Sequence, residues 1–166
     1  MSIQKKAVQS FQWNFLERIG QQLISFAVVV VLARILSPSD FGIITILGAF
    51  IAILDSIIDG GFGQALIRNR EATDLDFSTV FYYNLFVSIL IYISLCLVAP
   101  YLSLFYDRAD LTLLIQVISI KIVISSFTSI QNVRMIRDLK FKTLMIIQLP
   151  SLLIGGAIGI GMAYYN

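Results

Sequence analysis

The sequence predicts an all-α integral membrane protein, and three observations carry that prediction. Hydrophobic residues fill 58% of the 166 positions and charged ones only 13%, against roughly 45–50% and about 25% in ordinary soluble domains. The apolar residues fall in long blocks rather than alternating, and the mean hydropathy is +0.87. Five of these blocks reach or exceed the ~20 residues a helix needs to cross a bilayer. A soluble chain of this length would form one domain, but such blocks describe spans and not a globular core.

Taken in order, residues 3–12 (IQKKAVQSFQ) set Ile3, Ala7, Val8 and Phe11 on one face and Lys5 and Lys6 on another, ahead of Trp13. This pattern predicts an interfacial segment over 1–13 that leads into the bilayer. A cleaved signal peptide is disfavoured, because the apolar run lacks an A-x-A site and passes straight into a second span. The remainder, 14–166, is predicted to be a transmembrane bundle with spans at 14–36, 41–67, 79–104, 111–133 and 144–165. Ser37-Pro38-Ser39-Asp40 reads as a tight turn, since Pro38 cannot continue the first helix and Ser39 or Asp40 can cap the second. Gly60-Gly61 shape the inward end of the second span, which leaves through a loop carrying Arg68 and Arg70. Pro100, Tyr101, Phe105 and Tyr106 open the loop at 106–110, and residues 134–143 form a second inner loop. In the fifth span Pro150 predicts a kink, and Gly155 with Gly159 forms a G-x-x-x-G pair that permits close helix packing.

Lys and Arg placement sets the orientation. With the N-terminus inside, Lys5, Lys6, Arg18, Arg68, Arg70, Arg134, Arg137, Lys140 and Lys142 lie inside. Arg34 and Arg108 lie outside, and Lys121, in mid-span, completes the twelve. Nine against two predicts a cytoplasmic N-terminus. Arg34 needs only to snorkel to the headgroups. Five spans leave Tyr164-Tyr165-Asn166 outside, where a sixth helix is expected to turn back, so the sequence reads as a partial chain.

Several function classes fall away. The lone Cys96 excludes a disulfide and a thiol metal cluster, and the absence of histidine removes the easiest proton relay and the commonest metal ligand. No Ser/His/Asp set and no phosphate-cradling loop is present, so no catalytic residue and no cofactor are expected, and nucleic acid is not an expected partner. Two aspartates in a membrane suggest an intramembrane aspartic protease, but those enzymes need their acids on different helices, one in a Gly-x-Gly-Asp setting. Asp59-Gly60-Gly61-Phe62-Gly63 has the order wrong.

The spans carry polar stripes at three- and four-residue spacing, hence on single faces. The first holds Asn14, Glu17 or Arg18, Gln21 and Ser25. The third holds Asn84, Ser88 and Tyr92. The fourth holds Lys121, Ser125, Thr128 or Ser129, and Asn132. Lipid cannot satisfy such groups, so these faces look at protein or at water. For the hydroxyls, hydrogen bonding between helices is the simpler reading. For the ionised groups the wall of a wet cavity is favoured, because burying a charge costs a few kcal/mol on insertion scales. Asp55 and Asp59, one turn apart, face the same way. Either they bind a coupling proton or cation, or they pair with cations, Asp55 with Lys121 and Asp59 with Arg18. The second reading is preferred for Asp59, while for Asp55 both stand. Arg18 and Lys121 are the groups suited to an anion, Arg by bidentate grip and Lys as a point charge. The basic residues from Arg134 to Lys142 serve topology first and anionic headgroups second.

Particular strings also resemble a known family. Leu32-Ala33-Arg34-Ile35-Leu36-Ser37-Pro38-Ser39-Asp40-Phe41-Gly42 is similar to the end-of-first-helix signature of Wzx-type polysaccharide flippases. So are Asp59 to Arg68 (DGGFGQALIR), Asp76 to Phe81 (DFSTVF) with Asn84-Leu85, Ala99-Pro100, and Arg137 to Lys142 (RDLKFK). As a set they resemble the colanic-acid and teichuronic-acid exporter branch of the multidrug/oligosaccharidyl-lipid/polysaccharide superfamily. The resemblance implies two six-helix lobes around a central cavity, of which this chain supplies about five helices, most of the first lobe. It implies a flippase that moves polyprenyl-diphosphate-linked oligosaccharide across the bacterial inner membrane by alternating access, for O-antigen, capsule or exopolysaccharide. Membrane lipids and glycan polymerase and assembly proteins are its implied partners. On that reading Arg18 and Lys121 serve the diphosphate, Gln21 and Asn84 line the cavity, and Asp55 takes part in ion coupling. Two other readings stand beside it. One is a cation-coupled drug exporter of the same superfamily, which should favour acidic over basic cavity groups. The other is a non-transporting scaffold or inactive remnant.

Overall fold

The computed structural model describes residues 3–69 and 71–165. The side chains of residues 1–10, and with them the facing of Lys5 and Lys6, lie outside the described residues, as does Arg70. Six helices follow in order: α1 (Ile3–Ile35), α2 (Pro38–Asp59), α3 (Phe62–Arg68), α4 (Asp74–Phe105), α5 (Asp110–Arg137) and α6 (Phe141–Tyr165). All except α3 are long and apolar enough to cross a membrane. No strand occurs among the described residues.

Local chemistry places the ends. Pro38 is not a loop residue but the first residue of α2, where its missing N–H is not needed. The cap is therefore Ser37, ahead of Ser39 and Asp40: Ser37 Oγ accepts from the Asp40 amide at 3.2 Å and donates to the Asp40 carboxylate at 2.6 Å. Thr73 and Asp76 form a reciprocal capping box at the start of α4, which satisfies two otherwise orphaned amides. The predicted span 41–67 is two helices rather than one. Gly60 and Gly61 take φ of 51° and 80°, a conformation that side-chain-bearing residues avoid, so α2 stops at Asp59 and α3 sets off separately. Pro100 lies inside α4 and opens no loop. Within a membrane span a proline interruption is tolerated because neighbouring groups re-satisfy the freed carbonyl.

Two compact units emerge, one from Met1–Ile44 with Met135–Asn166 and the other from Thr45–Arg134. In the first, α1 and α6 run side by side in the same direction. Trp13 meets Lys142, whose ammonium lies 5.6 Å from the ring centre. Gly20 meets Leu149, Gln21 meets Gln148, and Val28 meets Gly156. The partner number climbs with the α1 number, which is the mark of a parallel pair. The tight approach belongs to Gly156: the space beside Gly155 and Gly159, the G-x-x-x-G pair, is open to 4 Å.

In the second unit α5 is the central element. Its buried residues, Leu111, Ile115, Ser119, Ile122, Ser126, Ile130 and Val133, recur every three or four positions and so form one face. Ile51 and Ile58 of α2 pack on Ile122. Leu66 of α3 and Phe77 of α4 pack on Ile130 and Val133. The contact of Phe81 with Phe127 and the ion pair of Asp74 with Arg134 at 2.8 Å run in opposite order along α4 and α5, so these two helices are antiparallel. The Arg134 guanidinium also lies 4.8 Å from the Phe77 ring centre. Gly63 lets α3 come close, since a Cβ there would stand 2.8 Å from the Asp59 carboxylate and 3.1 Å from Val133.

Candidate functional site

The ionised groups at membrane depth gather on α2 and α5 of the second unit. Lys121 is eleven residues into α5, about 17 Å along its axis at 1.5 Å per residue. Its ammonium lies 3.8 Å from Asp55 Oδ2, and Ser125, one turn further on, donates to Asp55 Oδ1 at 3.4 Å. Spacing explains the grouping: Lys121 and Ser125 are i and i+4, so both side chains reach the same carboxylate on the neighbouring helix. The pairing is loose and one-sided, because a direct charge-assisted N–H···O contact is about 2.7–2.9 Å. The Lys121 side chain stays 66% exposed, and Asp55 is 35% exposed. A mid-span ammonium held by one distant carboxylate retains most of its hydrogen-bonding capacity. It is chemically able to meet an anion, while Asp55 balances its charge.

The inner face of the same unit is different. Asn84 of α4 is only 1% exposed, and its Oδ1 is buried without a hydrogen-bond partner. Ser88, one turn on, is fully buried and donates to the Leu85 carbonyl at 2.8 Å. On α5, Ser119 and Ser126 are buried and likewise bond to carbonyls of their own helix. These hydroxyls are satisfied locally, so they act as small packing residues. Asn84 is satisfied by none of them, and burying an unpaired amide oxygen costs about 1–3 kcal/mol.

In the first unit the α1 stripe resolves in favour of Glu17. Glu17 is buried at 8% exposure, and Gln21 Nε2 donates both to Glu17 Oε1, at 3.3 Å, and to Gln148 Oε1 across the pair. Arg18, one residue round the helix, is exposed. The residues named from sequence thus fall into two sets. Asp55 and Lys121 come together with Ser125, and Asn84 is buried in the same unit. Gln21 is engaged with Glu17 and Gln148, and Arg18 points away from that contact. Gln148 had not been singled out from sequence. Its signal is a lone amide in the apolar run 144–149, next to Pro150, at the same helical depth as Gln21. Asp59 turns towards Gly63 and lies at the α2–α3 break.

Comparison with known proteins adds an independent line. A family profile described as polysaccharide biosynthesis protein matches residues 31–166. The chain is 23% identical over 155 residues to the lipopolysaccharide biosynthesis protein WzxC of Escherichia coli K12. It is 24% identical over 150 residues to the teichuronic acid biosynthesis protein TuaB of Bacillus subtilis, and 23% over 159 to the succinoglycan biosynthesis transport protein ExoT of Rhizobium meliloti. These alignments take in 93%, 90% and 96% of this chain but only 32%, 31% and 32% of the relatives. The chain therefore spans about a third of the length of the curated relatives it matches. No solved structure matches it.

Proposed function

This chain belongs to the polysaccharide biosynthesis protein family, and from that premise we propose that it forms most of the first lobe of a two-lobe flippase for polyprenyl-diphosphate-linked oligosaccharide. It is a multi-pass membrane protein, and its relatives are named for lipopolysaccharide, teichuronic acid and succinoglycan biosynthesis, one of them as a transport protein. Transport across the bacterial inner membrane, with the N-terminus in the cytoplasm and no catalysed bond change, is the activity these features favour. Glycan polymerase and assembly proteins are its proposed partners.

One observation carries the site assignment: the Lys121 ammonium, mid-span, is two-thirds exposed and tied only loosely to Asp55. In the proposed mechanism Lys121 meets the diphosphate as a point charge, and Arg18, exposed on the first unit, is a separate candidate for gripping an anion bidentately. Asp55, released as Lys121 turns to the anion, is free to take a coupling proton or cation. Gln21 exchanges its helix-to-helix bond for the glycan. The buried Asn84 Oδ1 gains a partner when α4 moves away from α5 during alternating access. The polyprenyl tail remains in the bilayer throughout.

The test is complementation of a flippase-deficient strain by a version of the protein extended to the length of its relatives, with surface glycan and membrane protein level both measured. Lys121→Met should abolish export at an unchanged protein level, and Asp55→Asn should impair it. Normal export by the Lys121→Met protein would remove Lys121 from the mechanism.

A further inference from the structure

One buried acid takes no part in the mechanism above. Glu17 of α1 is 8% exposed and lies within the stretch Phe11–Ile35, which is long and apolar enough to cross a membrane. The element packed against α1 is α6. Near Glu17 the two helices approach closely, since a Cβ at Gly20 would stand 3.1 Å from Leu149. Glu17 Oε1 accepts one long hydrogen bond, from Gln21 Nε2 at 3.3 Å. Among the described residues Glu17 makes no ion pair. An ionised carboxylate is acceptor-only, with about four sites to fill, and burying one so poorly supplied is strongly unfavourable. The charges nearby do not make up the difference. Arg18, the next residue on α1, is exposed. On α6 the ionisable group at this end is Lys142, whose exposed ammonium lies over the Trp13 ring, one turn before Glu17. Tyr164 and Tyr165 stand at the far end of α6, and Arg34 at the far end of α1.

A protonated carboxyl has different needs: one hydrogen to donate and less acceptor capacity to fill. The cluster meets them. Gln21 and Gln148 each bring an amide oxygen, and Gln21 Nε2 already links Glu17 Oε1 to Gln148 Oε1 across the pair. The closed contact therefore fits the acid form. The carboxylate form is better served once α1 and α6 part and water reaches it. We propose that Glu17 is a proton-binding site, that proton uptake closes α1 on α6, and that proton release opens the pair. Linkage fixes the sign: the closed pair holds the extra proton, so closure is favoured at low pH and lost as pH rises. This site is separate from Asp55, which belongs to the other unit, and it does not depend on what the protein carries.

The test uses the whole chain in bicelles, in a Cys96→Ser background, with spin labels on Phe26→Cys and Ile154→Cys, two exposed positions of α1 and α6. Their separation is measured by pulsed electron resonance between about pH 5 and about pH 9, a range in which exposed carboxylates are ionised. A short distance should give way to a longer one as pH rises, the open-to-closed ratio changing about tenfold per pH unit, as for one proton. Glu17→Gln, which keeps the shape and cannot ionise, should stay closed throughout, while Glu17→Asp should still titrate. Infrared spectra of the same samples should show a protonated-carboxyl band that fades along the same titration and is missing in Glu17→Gln. Exchanging sodium for choline at constant ionic strength should leave the titration in place. A distance that ignores pH, a carboxyl band that survives Glu17→Gln, or opening that follows sodium instead of pH overturns the proposal. Neither readout involves export. A failed titration thus removes the Glu17 site and leaves the flippase reading intact, and a failed complementation does the reverse.

Discussion

The parallel α1–α6 pair rests on one contact that can be broken and repaired. A methyl group at Gly156 would stand 2.5 Å from Val28 Cγ2, and 3.7 Å from Val28 Cβ and Cγ1. Carbon atoms settle at about 3.5–4.0 Å, so the overlap with Cγ2 is about 1 Å or more. Val28 cannot readily turn aside, since a β-branched side chain in a helix has one strongly preferred rotamer. The helices must therefore separate, which also stretches the Gln21–Gln148 bond seven or eight residues away. Overpacking of this kind costs about 1–3 kcal/mol, or roughly one to two powers of ten in the pairing equilibrium. Disulfide trapping reads it out: in a Cys96→Ser background, Gln21→Cys and Gln148→Cys should cross-link, and Gly156→Ala should suppress the cross-link. Val28→Ala removes both γ-methyls and should restore it in the double variant, with a coupling of about 1 kcal/mol or more. Gly155→Ala and Gly159→Ala, where nothing lies within 4 Å, are the controls and should be silent. Equal loss at all three glycines, or no rescue by Val28→Ala, would refute the register of the pair.

Two further outcomes test the local devices. Gly61→Ala must force a side chain into a left-handed conformation at φ of 80°, at a cost of about 1–2 kcal/mol. Steric-trap unfolding in bicelles should show the loss, with Gly48→Ala unaffected. Thr73→Val removes the hydroxyl that accepts from the Asp76 amide, worth about 1 kcal/mol. Amide exchange at residues 74–77 should speed up while the rest of α4 is unchanged.

Much of this protein was legible in the chain because the bilayer is a demanding solvent. A block of twenty apolar residues has few other fates, so the five spans follow from length and composition, and their ends fall within a few residues of the helix limits, apart from the second span and the start of the first, since α1 already runs from Ile3. The second span shows where that reasoning stops. Hydropathy carries on through Leu66 and Ile67, but backbone sterics at Gly60 and Gly61 end the helix, and a sliding measure of apolarity does not see φ. Pro100 errs in the other direction, since it sits inside a helix that the protein context sustains. The polar stripes were visible as faces, but a periodicity gives a face and not its neighbour. Spacing left Glu17 and Arg18 as equivalents, and Gly155 and Gly159 as the natural packing pair.

By itself, then, the sequence determined the membrane class, the number of crossing helices and the small set of charges placed among them, because each is a one-dimensional property of composition and order. Only the tertiary structure decided which of those groups meet. It put α6 parallel to α1 with Gly156 against Val28, turned Glu17 inward and Arg18 outward, and sealed Asn84 within its unit. It also set Lys121 beside Asp55 while leaving the ammonium open. Those choices depend on distances between residues far apart in the chain, fixed by how helix surfaces interlock.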